Sequence, residues 1–423
     1  MFGAMNGDDK SNGGETKRDA YAAFRFRDFR LLLFGSLLAN TGRNMLSVAI
    51  GWELYERTGS AMALGWVGLI QGLPIILLSM PAGHLADRAE RRRIVFLTEI
   101  ILAVVSFSLA FVSMRQGPVA WMYALLLANS VAHAFNGAAS SSLLPLTVPE
   151  KIFSNAITWK SSSFQVASVV GPALGGMMIA MFNGAAGVYL ANGIASLLYA
   201  AFVVMMSHKP VARVAEAVTL KTLAAGFRFV WQTKIILATI TLDLFAVLLG
   251  GATMLLPIYA KDILHVGPHG LGWLRAAPAA GAFIMAIAMA HLPPSKQIGK
   301  LLLWAVAGFG IATIIFGFSK WYWLSLLMLA LTGAFDNISV VVRHSLVQLR
   351  TPDAMRGRVS AVNNVFISSS NELGAFESGL VAAWFGAVFS VVSGGIGTIL
   401  VVLLTAKIWP EIRDLKSLHD HEA

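Results

Sequence analysis

Four ionisable side chains interrupt long apolar stretches of this sequence: Arg43, His133, Asp336 and Glu372. Each stands about 14–15 residues beyond the start of its stretch, taken at Phe29, Pro118, Trp321 and Gly357. At a helical rise of about 1.5 Å per residue that is roughly 21–23 Å, near or just past the middle of a hydrocarbon layer about 30 Å thick. An ionised group at that depth is costly, so it is expected to border a wet path or face a partner. The chemistry on offer is proton exchange, because a carboxylate taken out of water can hold and release a proton while a basic neighbour gives it an alternative state. Asp336 and Glu372 are the carboxylate candidates. Arg43 or His133 would be the exchanging partner, and His133 could itself titrate near neutral pH; a structural hydrogen bond is its other reading. Glu377 follows Glu372 by five residues, about 140° round a helix, so no paired-acid site is expected.

Two polar stripes accompany the charges. Ser36, Asn40, Arg43, Asn44 and Ser47 fall on one helical face, and Asn364, Ser368, Asn371 and Glu372 are similarly spaced. Asn40, Arg43, Asn44, Asn364, Ser368 and Asn371 are therefore candidates for lining a substrate cavity, with plain helix-to-helix hydrogen bonding as the alternative for each Ser and Asn. Lys160 and Arg343 lie near the ends of their stretches, where a long side chain reaches water unaided. Asp243 is a candidate latch with no evident partner.

These groups need a scaffold that spans a membrane. The chain has 423 residues, 57% apolar and 13% charged, about half the roughly 25% charge of a soluble globular protein. High apolar content excludes disorder, and the absence of Cys excludes a disulfide scaffold. Windows of about 20 apolar residues give twelve spans, at 29–55, 61–83, 94–113, 118–144, 155–181, 185–206, 235–260, 268–292, 300–318, 321–347, 357–384 and 386–408. The net charge is 32 − 22 = +10. With the N-terminus inside, 24 of the 32 Lys and Arg fall in cytoplasmic segments, against Arg57, Arg115, Lys261 and Lys320 on the other side and Arg43, Lys160, Arg275 and Arg343 within spans. Residues 1–28 are basic and polar without a signal-peptide core, and read as a cytoplasmic tail.

Shifting the sequence by 203 lays Pro149-Glu150 on Pro352-Asp353, Gly171 on Gly374 and Gly176 on Gly379; a shift of 207 lays Leu64-Gly65-Trp66 on Leu271-Gly272-Trp273. Both relate a span to the sixth one after it, as expected of parallel repeats in a rocking transporter. The expected fold is an all-α membrane protein with twelve transmembrane helices in two pseudo-symmetric six-helix halves. Its parts are a tail (1–28), a first half (29–206), a linker with a short interfacial helix (207–234), a second half (235–408) and a C-terminal tail (409–423). Glycines in LLGGAT (248–253) allow close approach or bending within span seven.

Between spans two and three stands Gly83-His84-Leu85-Ala86-Asp87-Arg88-Ala89-Glu90-Arg91-Arg92-Arg93. It resembles the loop signature of the major facilitator superfamily. Further stretches, LKTLAAGFRFV (220–230), DLFAVLLGGATMLLPIYAKDIL (243–264), VGPHGLGWLRAAPAAGA (266–282) and QLRTPDAMRGRVSAVN (348–363), look like its drug:proton antiporter branch, which includes bacterial enterobactin and macrolide exporters. The resemblance implies a cavity lined by spans one, four, seven and ten, efflux across a bacterial inner membrane, and both termini in the cytoplasm. It also implies a cytoplasmic gate at Gly83, Asp87, Arg88 and Arg91; Arg92 and Arg93 read more simply as topology determinants. Gly171, Pro172, Gly175 and Gly176 in span five resemble the antiporter helix motif, whose counterpart in span eleven has no proline, and His133 stands where the family often has Arg.

The expected function is proton-coupled export of amphiphilic small molecules, siderophore-like or drug-like. A lipid or lysolipid translocator is one alternative, and a non-transporting sensor or membrane enzyme, with its buried charges locked in pairs, is another. No phosphate loop, H-E-x-x-H or G-x-S-x-G motif occurs, so neither enzyme chemistry nor a cofactor or metal is expected. The expected partners are a small-molecule substrate, protons and the bilayer, with no nucleic acid and with a monomer sufficing for function.

Overall fold

The computed structural model describes residues 19–207, 220–291 and 297–415, and among them every regular element is helical. The twelve long helices are α1 (Arg27–Thr58), α2 (Ala61–Arg88), α3 (Arg91–Met114), α4 (Val119–Ser141), α5 (Phe153–Phe182), α6 (Ala186–Met205), α7 (Lys234–Leu249), α8 (Gly267–His291), α9 (Ile298–Phe318), α10 (Tyr322–Arg350), α11 (Asp353–Phe385) and α12 (Ala387–Ile408). A linker helix, Leu220–Gln232, precedes α7, and a short turn of helix, Pro410–Arg413, follows α12. Nine of the spans are long and apolar enough to cross a membrane on composition alone. The other three are α1, α4 and α11, which carry Arg43, His133 and Glu372. The helices too polar for hydrocarbon are those with a wet or packed interior face.

Packing repeats between the halves. In the first, α1 lies on α5 and α6, α2 on α4, and α3 on α4 and α6; in the second, α7 lies on α11 and α12, α8 on α10, and α9 on α10 and α12. Each pairing maps onto its partner when six is added to both helix numbers. The halves meet along two seams, α2 against α11 and α5 against α8, which the same operation exchanges.

An even number of crossings puts both described chain ends and the linker helix on one face, here the tail face; the opposite one is the far face. The apolar core is divided unequally between them. At the far face one cluster runs through both halves, from Met45, Leu54, Leu64 and Ile179 to Leu256, Leu271 and Phe316. At the tail face the first half has its own cluster around Phe29, Val95 and Val203, and the second half another around Leu242, Leu302 and Leu346. Among the described residues, burial thus joins the halves at the far end only.

Small residues set the seams. A Cβ on Gly176 of α5 would lie 2.7 Å from Gly272 Cα of α8, so the two backbones touch. Gly171 and Gly175 instead face α1, where a Cβ would lie 2.6 Å from Asn44 Cβ and 2.9 Å from Met45 Cα. Pro172 is buried within α5, and its carbonyl faces Gly272.

Span seven is not the continuous helix expected over 235–260. It breaks after Leu249 and resumes as a 3-10 turn, Ala252–Leu255, then Leu256–Ile258 and a π-helical turn, Tyr259–Ile263. The Ala252 N–H donates to Gly250 O at 2.7 Å, with Gly251 at φ −67°, ψ 46°, a three-residue turn. Two adjacent glycines weaken the helix and Pro257 lacks a donor for it.

Candidate functional site

The first half encloses a polar cavity of about 230 Å³. Asn40 and Arg43 enter it from α1, Glu99 from α3, His133 and Asn136 from α4, Lys160 from α5 and Tyr199 from α6. Arg43 is exposed into it, whereas Glu99 is 3% exposed. Asn136 Nδ2 donates to Glu99 Oε1 at 2.9 Å and to Thr98 Oγ1 at 2.8 Å. Asn192 Nδ2 donates to Ser106 Oγ at 2.7 Å, and Ser140 bonds Tyr199 at 3.2 Å, so α3, α4 and α6 are cross-linked behind the cavity wall. Lys160 Nζ donates to Ser140 O at 3.4 Å.

A second cavity, of about 170 Å³, lies in the other half. Its wall is largely apolar, including Phe309, Phe316, Leu329 and Pro278, with Asp336 and Asn371 as the polar exceptions beside Thr residues and the broken backbone at Gly250 and Gly251. Asp336 also reaches a small space beside Asp243 and Ser339.

Glu372 lines neither cavity. Its stem covers Gly72 at the α2–α11 seam, and its electrostatic neighbours are Arg43 of α1 and Arg275 of α8. Arg43 has Glu99 as its other acidic neighbour. Among the described residues Arg43 makes no direct ion pair.

The four midspan residues therefore do not converge on one site. Arg43 and His133 line the first cavity, Glu372 lines neither, and Asp336 belongs to the second, because α10 packs on α8 and α9 within its own half. Asn40 and Asn371 line cavities. Asn44 does not: its amide turns back to Asn40 O at 2.9 Å, beneath Gly171. Asn364 is exposed and Ser368 half-buried on α11, and neither lines either cavity. Arg343 does not snorkel. It is 2% exposed and ion-paired with Asp243, because α10 continues to Arg350 and leaves Arg343 two turns inside, facing α7. Lys160 likewise turns into the first cavity.

Sequence reasoning missed Glu99 and gave Arg275 no role. The signal for Glu99 was the polar step Thr98-Glu99 in an apolar helix, matched by Asn136 and Asn192 in neighbouring spans.

At the tail face, Arg91 Nη1 donates to Ser142 O at 3.1 Å and its Nε to Ala86 O at 3.4 Å. Arg92 donates to Val204 O, a tie beyond topology, and Arg93 pairs with Glu90 at 2.5 Å. All of these bonds stay inside the first half. Gly83 faces open space and Arg88 is exposed. Asp87 sits in the last turn of α2, and its side chain lies outside the described residues.

The model of the family described as transmembrane secretion effector matches residues 18–421. The chain belongs to this family. Among curated relatives, it is 25% identical to the multidrug efflux pump Tap of Mycolicibacterium fortuitum, over 91% of this chain and 96% of that one. It is also 25% identical to the enterobactin exporter EntS of Citrobacter koseri, over 91% and 92%. In fold it is similar to the nucleoside transporter NupG, with TM-score 0.74 at 14% identity over 90% of this chain and 99% of that chain. A bacterial homologue of the human lysosomal transporter Spinster, inward-facing and occupied, gives 0.72 at 14% over 93% and 99%. As a secretion effector of the major facilitator fold, the protein is a membrane transporter rather than an enzyme.

Proposed function

We propose that this transporter exports amphiphilic small molecules, siderophore-like or drug-like, by alternating access driven by proton entry. The observation that carries the reading is the divided core: fused across both halves at the far face, split at the tail face, with a polar cavity in one half and a mostly apolar one in the other. A cargo with a polar and an apolar part suits that pair of walls. Tap is named a multidrug efflux pump and EntS an enterobactin exporter, which supports efflux as the direction. The Lys/Arg asymmetry supports a cytoplasmic tail face, so that both termini are cytoplasmic, the membrane is the bacterial inner membrane and the conformation is inward-open. Both seams and both cavities lie within one chain, which supports a working monomer.

In this reading the half at 29–206 rocks against that at 235–408 about the linker at 207–234. Asp336 and Glu372 carry protons, with Arg43 and His133 as basic neighbours. Gly83, Asp87, Arg88 and Arg91 latch the cytoplasmic face in the opposite state, and the bonds of Arg91 within its own half fit a latch now disengaged. A sealed sensor would lock its midspan charges in pairs, whereas Arg43 faces a cavity.

The test is reconstitution into vesicles loaded with pyranine, with ethidium as the amphiphilic probe. Ethidium movement should drive opposite proton movement, and Asp336→Asn with Glu372→Gln should uncouple the two. Dye transport that persists unchanged with the pH gradient collapsed and both carboxylates neutralised would overturn the coupling.

A further inference from the structure

The polar cavity of the first half holds more positive charge than its own residues neutralise. The titratable or charged side chains lining it are Arg43 from α1, Glu99 from α3, His133 from α4, Lys160 from α5 and Tyr199 from α6. With His133 and Tyr199 neutral, two cations face one carboxylate, a surplus of one positive charge. Glu99 is 3% exposed and its Oε1 accepts the 2.9 Å bond from Asn136, so this carboxylate sits in the wall, whereas Arg43 is exposed. Lys160 Nζ reaches a backbone carbonyl, Ser140 O, at 3.4 Å. Neither cation makes an ion pair among the described residues.

A surplus cation held inside a membrane bundle is costly unless an anion joins it. Arg43 brings a planar guanidinium, which pairs with a carboxylate through two parallel N–H donors, and Lys160 adds a compact point charge. A volume of about 230 Å³ suits a head group better than a whole amphiphile. The same cavity also has an apolar side: Phe164 lines it one turn along α5 from Lys160 and is half-exposed. A Cβ on Gly137, in the lining from α4, would meet nothing within 4 Å, so the wall is open there. An apolar body attached to the head group thus has an aromatic face to lie on and room beside it. The second cavity offers the opposite charge, since Asp336 is the charged residue in its wall.

We propose that the first cavity is the subsite for an anionic head group, a carboxylate or comparable monoanion on a soluble amphiphile, held between Arg43 and Lys160. This inference rests on the export reading and deepens it by fixing the charge at the polar end of the cargo. A monoanion brings the cavity to neutrality, a neutral head group leaves the surplus in place, and a cationic one doubles it. Ethidium, a cation, therefore probes coupling but fits this subsite poorly.

Three probes of one shape isolate the charge: 2-naphthoate, 2-naphthamide and 2-naphthylmethylammonium. Their binding to the full chain in phosphatidylcholine nanodiscs is measured by calorimetry, with protein-free discs as the blank. 2-Naphthoate should bind about tenfold or more tightly than 2-naphthylmethylammonium, with 2-naphthamide between them, the scale of one partly screened charge. Lys160→Arg keeps the surplus, Lys160→Gln removes it and Lys160→Glu reverses it. The anion-over-cation affinity ratio should accordingly be kept by Lys160→Arg, fall by about tenfold in Lys160→Gln and invert in Lys160→Glu. Inversion requires one probe to bind more tightly, which a misfolded variant cannot imitate, and Lys160→Gln supplies the same test should Lys160→Glu fail to insert. A ratio indifferent to the charge at position 160, or a wild type that binds all three probes alike, overturns the anionic subsite and leaves ethidium-coupled export standing. Loss of the naphthoate preference when phosphatidylglycerol is added to the discs assigns the subsite to a lipid head group and overturns cargo recognition. The expected ratios without outward movement of any probe, ethidium included, overturn the export reading itself.

Discussion

Tyr55 on α1 donates its hydroxyl to the Asp262 carboxylate, in the last turn of the broken span seven, so a polar bond joins the two halves at the far face. Lys261 adds a cation over the Tyr55 ring, 5.8 Å from its centroid. A hydrogen bond to a charged group contributes about 1.5–3 kcal/mol, and this one exists only while the far face is closed. Tyr55→Phe should therefore shift the population toward the far-open state by roughly tenfold without lowering thermal stability comparably. Accessibility of a single Cys at Phe385 to a membrane-impermeant maleimide measures the shift, and unchanged labelling would show that apolar packing alone closes this face.

The backbone contact between Gly176 and Gly272 allows a more severe intervention. Pro172 O and Gly176 Cα would lie 2.6 and 3.0 Å from a Cβ on Gly272, and backbone atoms cannot step aside as a flexible side chain can. Gly272→Leu should force α5 and α8 apart, abolish the proposed tail-open state and reduce transport by more than tenfold, with the protein still inserted in the membrane. Normal transport by Gly272→Leu would mean that this seam does not have to close during the cycle.

The Asp243–Arg343 pair tests a different term. Both partners are buried, at 7% and 2% exposure, and removing one side leaves an uncompensated charge at a cost of about 3–5 kcal/mol. Asp243→Asn should lower thermal stability strongly, while Asp243→Asn with Arg343→Met should recover most of the loss because no lone charge remains. A double variant as unstable as the single one would contradict the pairing.

The parts of the fold that depend on long apolar windows were legible in the sequence, since an 18-residue apolar run has few fates other than crossing a bilayer. The repeat was legible at Gly171, Gly176, Gly374 and Gly379 because these positions serve close helix contacts in both halves. Side-chain direction was less accessible. Asp336 and Arg43 stand at equal counted depths, yet they face different cavities, and depth along a helix carries no information about azimuth relative to a partner helix. Arg343 was misjudged for a related reason: α10 runs on to Arg350, so a group counted as near a membrane edge lies about two turns inside. The sequence marked LLGGAT as a place for close approach or bending but not for a full break, because glycine pairs are ordinary in membrane helices and what they become depends on the neighbours that occupy the space.

That last point can be tested at Gly250, which lines the second cavity beside Phe309. A Cβ there would lie 2.5 Å from Phe309 Cε1 and 2.7 Å from the Ala246 carbonyl oxygen of its own helix. Gly250→Ala therefore overpacks a site whose tightest neighbour is an aromatic ring, at a cost of about 1–3 kcal/mol. Phe309→Leu removes the ring edge that blocks the methyl, so the double variant should regain much of the stability lost by Gly250→Ala, and the two changes should be clearly non-additive in thermal melts. The same pair should retune cargo preference, because the ring that yields forms part of the apolar wall facing Asp336. Additive destabilisation would instead place the strain at the Ala246 carbonyl, and would make the break a backbone requirement independent of the cavity wall.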